Sequence, residues 1–132
     1  MAFLIDTNIA IHARDGLVSV LDKLAKHVGL VMISALSLVE LQRGLYKSRE
    51  DSGLRLVRLK ELMRSIPVLS FDESAAEAYG QIIAQLGWVK NRDYDRMIGA
   101  HALASGSILV TANIADFSDI PGLRIENWAD PG

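Results

Sequence analysis

The sequence predicts an α/β fold: a central, mostly parallel sheet of four to five strands covered by helices on both faces. Three observations carry that expectation. Short apolar runs such as Phe3-Leu4-Ile5 and Ile108-Leu109-Val110 are unbroken rather than alternating, as strands buried on both faces are. Stretches of helical periodicity lie between these runs, and strands that alternate with helices pair in parallel. The first run ends directly in Asp6, and ligands of open parallel sheets gather at the carboxyl ends of strands.

Taken in order, Phe3-Leu4-Ile5 is the first strand, followed by a helical region that holds His12 and His27. Within it, Leu17, Val20, Leu21, Leu24 and Val28 recur at helical spacing, with Asp22, Lys23 and Lys26 turned away. Leu30-Val31-Met32-Ile33 is a second strand leading through Ser34 to a helix from about Ser37 to Lys47. Leu56, Leu59, Met63 and Ile66 form the apolar side of another helix, which Pro67 ends. Val68 to Phe71 reads as a third strand. Asp72 then caps a helix carrying Ala75, Ala78, Tyr79, Ile82 and Leu86 on one side. After a polar break at 91–93, Tyr94 to Ser105 is helical and Gly106 closes it. Ile108 to Val110 is the next strand, Thr111 to Asp119 a polar turn segment, and Leu123 to Ile125 a last edge strand.

The 132 residues suffice for one domain with a substantial core, and neither a repeat nor a long linker divides them. With half the residues apolar and 23% charged, the chain is not intrinsically disordered. It has no cysteine, which excludes disulfides, thiolate metal sites and a thiol nucleophile. No apolar run approaches the roughly 20 residues of a membrane span, and no export leader is recognisable, so a soluble cytoplasmic protein is expected. The net charge of −2 argues against indiscriminate nucleic-acid binding, but seven of the 14 Lys and Arg fall between Arg43 and Arg64.

Four acids stand at or near element ends: Asp6, Glu40, Asp95 and Asp116. Each has a structural use. Asp6 is a good N-cap; Ser37 and Glu40 match a capping box; Asp95 suits a helix start; Asp116 suits a turn. Together they mean more, because carboxylates meeting at one sheet edge repel one another unless a cation lies among them. A hard divalent ion such as Mg2+ prefers oxygen ligands and assists phosphodiester displacement. The histidines His12, His27 and His101 lack a serine partner at a strand end and are expected to be packed or on the surface. Trp88 and Trp128 are expected to serve packing or an interface ahead of base stacking. Neither G-x-G-x-x-G nor G-K-[ST] occurs, so a phosphate-cradling loop has no support.

Phe-Leu-Ile-Asp6-Thr7-Asn8, then Ser34 and Ser37 leading to Glu40-Leu-Gln-Arg-Gly44, then Tyr94-Asp95-Arg-Met-Ile98-Gly-Ala100, then Leu-Val-Thr111-Ala-Asn113-Ile-Ala-Asp116-Phe117 resemble the ordered motifs of PIN-domain nucleases. The resemblance is strongest to the VapC-type toxins of bacterial type II toxin-antitoxin pairs and covers almost the whole chain. It implies a three-layer α/β/α sandwich of PIN type. It also implies a Mg2+-dependent (or Mn2+-dependent) endoribonuclease that cuts structured RNA, transfer RNA or ribosomal RNA loops, with metal-activated water.

By the same resemblance Asp6, Glu40 and Asp95 form the acidic metal site. Asp116 or Asn113 fills a fourth position, and Thr7, Asn8, Ser37 and Thr111 orient the acids. It further implies a homodimer, an antitoxin whose C-terminal segment covers the cleft, and operator DNA contacted only through that antitoxin. Basic residues from Arg43 to Arg64, with Lys90, Arg92 and Arg96, would hold RNA phosphates, or else be solvated helix faces or antitoxin contacts. Three alternatives remain: a PIN nuclease of RNA processing, a PIN-like scaffold without turnover, and a receiver-like phosphoacceptor that binds Mg2+. The last needs a lysine at the end of a late strand, and Val110-Thr-Ala-Asn113 has none.

Overall fold

The computed structural model describes residues 1–47 and 50–130. Five parallel strands form one sheet in the order β3-β2-β1-β4-β5, where β1 is Phe3–Ile5, β2 Val31–Ser34, β3 Val68–Leu69, β4 Ile108–Val110 and β5 Ile125–Glu126. Leu4 of the central strand pairs with Met32 on one side and Leu109 on the other. The helices are α1 (Thr7–Arg14), α2 (Val18–Lys26), α3 (Ala35–Lys47), α4 (Ser52–Met63), α5 (Glu73–Leu86) and α6 (Asp93–Ala104). The expected architecture holds, with every strand pair parallel.

Strand alternation divides the core into two layers. Phe3, Ile5, Val31, Ile33, Ile108 and Val110 face a cluster with Ile9, Val20, Leu41, Leu45 and Leu59 of α1 to α4. Leu4 and Leu109 face the other way, into Ile82 of α5 and Ile98, Ala100 and Ala102 of α6. Central strands apolar on both faces therefore have a physical reason: each face meets its own helical layer.

Several boundaries differ from expectation. The region after Asp6 is two helices, broken at Gly16, whose φ of +87° favours glycine. Of the apolar stripe expected there, Val20 is buried and Leu24 half-buried, whereas Leu17, Leu21 and Val28 are exposed. Helix α4 ends at Met63, before Ile66, because the residue preceding Pro67 is kept out of the helical region. Ile66 still reaches the core through the loop. Only Val68 and Leu69 of the third run pair in the sheet, and Phe71 turns to pack its ring edge-on against His101. The last strand lies slightly later than Leu123 to Ile125.

The histidines and Trp128 are packed as expected, but His101, contrary to expectation, does meet a serine at a strand end, Ser34 of β2, in a pair buried from solvent. His27 stacks on Trp128 and lies against Phe3, and the Trp128 Nε1–H donates to Glu126 at 3.0 Å. Trp88 is 60% exposed, so of the two expected uses it does not serve packing within the chain. His101 is buried with Nδ1 2.8 Å from Ser34 Oγ, and burial lowers its pKa from the ordinary 6.5. The unfolded chain thus takes up a proton more readily, so His101 contributes stability above pH 6.5 that is lost as pH falls through its folded value. Between pH 7.5 and 5.5, thermal unfolding of the parent should lose more stability than that of His101→Gln, the difference isolating this group.

Candidate active site

The two sides of the chain's course through the sheet diverge at β1 and β4: β2 and β3 lie to one side, β4 and β5 to the other. At such a switch point the connections leave in opposite directions and open a crevice at the carboxyl ends. Asp6 lies there, its amide donating to Val110 O at 2.9 Å, next to Thr111 at the end of β4.

Asp6 does two things at once. Its Oδ1 accepts the Ile9 N–H at 2.9 Å, capping α1, and the residue is 6% exposed at the floor of the crevice. Burial raises its pKa, opposed by hydrogen bonds from Thr111 and Ile9 and by the charge of His12; Glu40 adds to the rise. The local capping use and the shared crevice are therefore compatible.

Glu40 is not part of a capping box. Helix α3 begins at Ala35, after Ser34 Oγ has accepted the Leu36 N–H at 3.1 Å, so Ser37 and Glu40 lie inside the helix. Glu40 Oε1 instead accepts the Thr7 hydroxyl at 2.6 Å, across 33 residues of sequence. Ser37 is buried, and among the described residues its hydroxyl has no well-formed hydrogen bond. Thr111 Oγ1 accepts the Asn113 N–H at 3.0 Å and so shapes the turn that carries Asn113.

Asp95 is in the first turn of α6, yet the helix end does not dominate its titration. Burial, and then the charges of Asp116, Asp6 and Glu40, push its pKa up to about 6 despite Arg92. Asp6, Glu40, Asp95 and Asn113 line one cavity of about 250 Å³ with Thr7, Asn8 and Tyr94, walled by Ile11, Ile98 and Phe117. Asp116 does not line it. That residue is exposed at the end of a 3-10 turn, Ile114–Asp116, and reaches the site through its charge on Asp95.

A larger cavity of about 570 Å³ lies between the start of α2 and Trp128 to Asp130, but its charged groups are of both signs, Asp22 and Asp130 with Lys23 and Lys26. The chemistry singles out the smaller one.

Tyr94, in sequence one letter of the motif around Asp95, also lines the cavity. Its hydroxyl lies 3.4 Å from Thr7 Oγ1, and burial raises its pKa to about 12, so it remains a neutral donor at the wall of the cavity. The signal available was its place beside Asp95 at a helix start.

The expected phosphate-binding set needs correction. Arg96 is 3% exposed, with Nη2 3.1 Å from Asp119, and is a buried structural cation rather than an RNA contact. Arg92 remains half-exposed and lies 3.6 Å from the same Asp119 oxygen. None of the described residues from Arg43 to Arg64 lines the cavity, and Arg49 lies outside the described residues.

Among the described residues, no three His, Cys, Asp or Glu side chains are placed so that together they could hold a metal ion. The donor set nevertheless suits a hard cation. Three acids share one recess, where burial first and then the charges of Asp116, Asp6 and Glu40 disfavour ionised Asp95, a cost that a cation would relieve. An ion that keeps several waters and takes one or two carboxylates directly needs no closed cage.

This sheet order, with acids from three distant segments at its switch point, defines a PIN domain: the PIN domain family model matches residues 3–123, and the chain belongs to that family. Its relatives place it, more particularly, among the VapC-type ribonuclease toxins. It is 34% identical to the tRNA(fMet)-specific endonuclease VapC of Shigella flexneri over 98% of this chain and 99% of that one. To Ribonuclease VapC2 of Rickettsia felis it is 32% identical, covering 97% and 98%. Among solved structures, DNA-bound VapBC from Salmonella typhimurium matches with a TM-score of 0.87 at 32% identity, covering 97% of this chain and 98% of that one. The phosphoacceptor alternative is set aside by these matches. Among the described residues no helix is long and apolar enough to cross a membrane.

Proposed function

We propose that the chain is a divalent-metal-dependent endoribonuclease toxin that cuts structured RNA and is neutralised by a cognate antitoxin. The carrying observation is that Asp6, Glu40 and Asp95, from three distant segments, line one recess at the sheet's switch point. The name of the Shigella flexneri relative makes transfer RNA the substrate class to test first, with ribosomal RNA loops second. Mg2+ is the expected ion and Mn2+ its substitute; Asp6, Glu40 and Asp95 would hold it, with Asn113 a neutral fourth donor and Asp116 acting through its charge. When bound, the ion supplies neutralisation of the phosphate and a more acidic water.

The chain's own groups do the rest. The capping bond from Ile9 and the hydroxyl of Thr111 fix Asp6, and Thr7 fixes the Glu40 rotamer. Neutral Tyr94 offers an O–H at the rim without adding charge. Ile11, Ile98 and Phe117 narrow the recess and limit water, which strengthens electrostatic interactions inside it. The products would be a 5′-phosphate and a 3′-hydroxyl.

The antitoxin's C-terminal segment would cover the recess, and DNA contact would pass through the antitoxin, as the DNA-bound VapBC assembly of Salmonella typhimurium encourages. The active form would be a cytoplasmic homodimer.

Incubating the purified chain with a transfer RNA pool tests the central reading: discrete cuts that require Mg2+ or Mn2+ and stop with EDTA are expected, and an intact pool overturns it. A second measurement needs no turnover. Mg2+ should raise the melting temperature of the parent, because a ligand bound only by the folded state stabilises it, and the shift should shrink in Asp95→Asn. Equal shifts in both proteins would remove Asp95 from the ion site.

A further inference from the structure

The corner between α5 and α6 carries chemistry that the cleft does not use. Gly87, with φ +77°, turns the chain out of α5, and Trp88 follows it 60% exposed. Lys90 to Arg92 form a single 3-10 turn that leads straight into α6, whose first turn presents Tyr94 and Asp95. The corner is braced. The Gly87 amide donates to Ile83 O at 2.8 Å, the Arg92 amide to Val89 O at 3.0 Å, and the Arg92 guanidinium lies 3.6 Å from Asp119. A large indole held in water on a braced corner loses apolar burial and gains nothing for the fold.

Exposed Lys90 is in no salt bridge among the described residues, and half-exposed Arg92 lies on the same turn. An aromatic face interleaved with cations matches the two parts of a single-stranded nucleic acid, a flat base and a charged backbone. A protein apolar surface would match the indole but not the two cations, Lys90 and Arg92, that follow it. With residues 90–92 in a 3-10 turn and α6 starting at Asp93, Trp88 lies within about 15 Å of Tyr94 along the backbone, so a strand crossing the recess reaches the corner within a few nucleotides.

We propose that Trp88 is a stacking platform for one unpaired base of the RNA strand whose phosphate lies in the recess, with Lys90 and Arg92 on the adjoining phosphates. This rests on the ribonuclease reading above and adds the requirement that the substrate be unpaired beside the cut. It reverses, for Trp88, the order of uses expected from sequence.

The full chain allows a direct test, because Trp128, the second of its two tryptophans, is 1% exposed and hydrogen-bonded. Cleavage of a transfer RNA pool by the parent, Trp88→Phe and Trp88→Ala gives KM and kcat. Titrating a short unstructured oligoribonucleotide into Asp6→Asn protein follows indole emission without turnover. Stacking predicts that the oligonucleotide quenches emission and that the quench vanishes in Asp6→Asn combined with Trp88→Ala. It also predicts that KM rises roughly five- to hundred-fold in Trp88→Ala, less in Trp88→Phe, with kcat little changed.

Unquenched emission together with parental kinetics in Trp88→Ala overturns the platform while leaving the nuclease intact. A parent that cuts no RNA removes both. Emission that shifts with protein concentration alone, and a Trp88→Ala protein that loses self-association, would assign the indole to a second copy of the chain and overturn the RNA role.

Discussion

Asp6→Asn is expected to abolish RNA cleavage, with kcat down by about a hundred-fold or more, while the protein becomes no less stable. The two halves of that outcome have separate causes. Activity falls because a carboxylate that would bind the ion becomes a neutral amide. Stability is kept because Asn is as good an N-cap as Asp, so the bond to the Ile9 amide survives in kind. Removing the charge also removes a cost, since burial and Glu40 disfavour the ionised form of Asp6. Asp6→Ala should be equally inactive but less stable by about 1 kcal/mol, the usual loss of a cap. Urea denaturation of the three proteins beside a cleavage assay checks both halves. An active Asp6→Asn protein, properly folded, would end the metal-site reading.

The second large effect concerns Asp119, outside the recess. Arg96 is buried on α6 with Nη2 on Asp119, while Nε and Nη1 have no partner among the described residues. Asp119→Ala removes its counter-charge and leaves a guanidinium inside the protein, a loss that for fully buried pairs runs to about 3–5 kcal/mol. Because the Asp119 side chain is 41% exposed, water offsets part of that, and about 2–3 kcal/mol is expected. Arg96→Met in the same background should recover most of the loss, since its stem packs without a charge to satisfy. Denaturation midpoints of the parent, single and double variants decide it. A double variant no better than Asp119→Ala would show that the pair is not the source.

Much of this was legible in the letters. The unbroken runs at Phe3–Ile5 and Ile108–Val110 could be read as central strands because both faces of those strands are covered, which leaves no polar alternation. The acids could be grouped because parallel strands place every carboxyl end on one edge. Side-chain partnerships were less accessible. Ser37 and Glu40 have capping-box spacing, but the chain starts its helix two residues before Ser37, and a hydroxyl from α1 takes the carboxylate instead. Spacing within a segment cannot register a competitor 33 residues away. Arg96 reads in sequence as one more basic residue beside Asp95, yet successive residues of a helix point about 100° apart, which turns Arg96 inward while Asp95 lines the cavity. Leu17, Leu21 and Val28 kept helical period without a core to meet, since α2 packs on α1 at the margin of the layer.

The outermost strands, Val68–Leu69 and Ile125–Glu126, each offer the sheet only two residues of backbone. So short a border gives an incoming extended peptide almost no amides or carbonyls to grip, the device by which sheet proteins resist unwanted edge-to-edge growth. A polypeptide that silences this molecule is therefore expected to hold on through side-chain contacts rather than by adding a strand to the sheet.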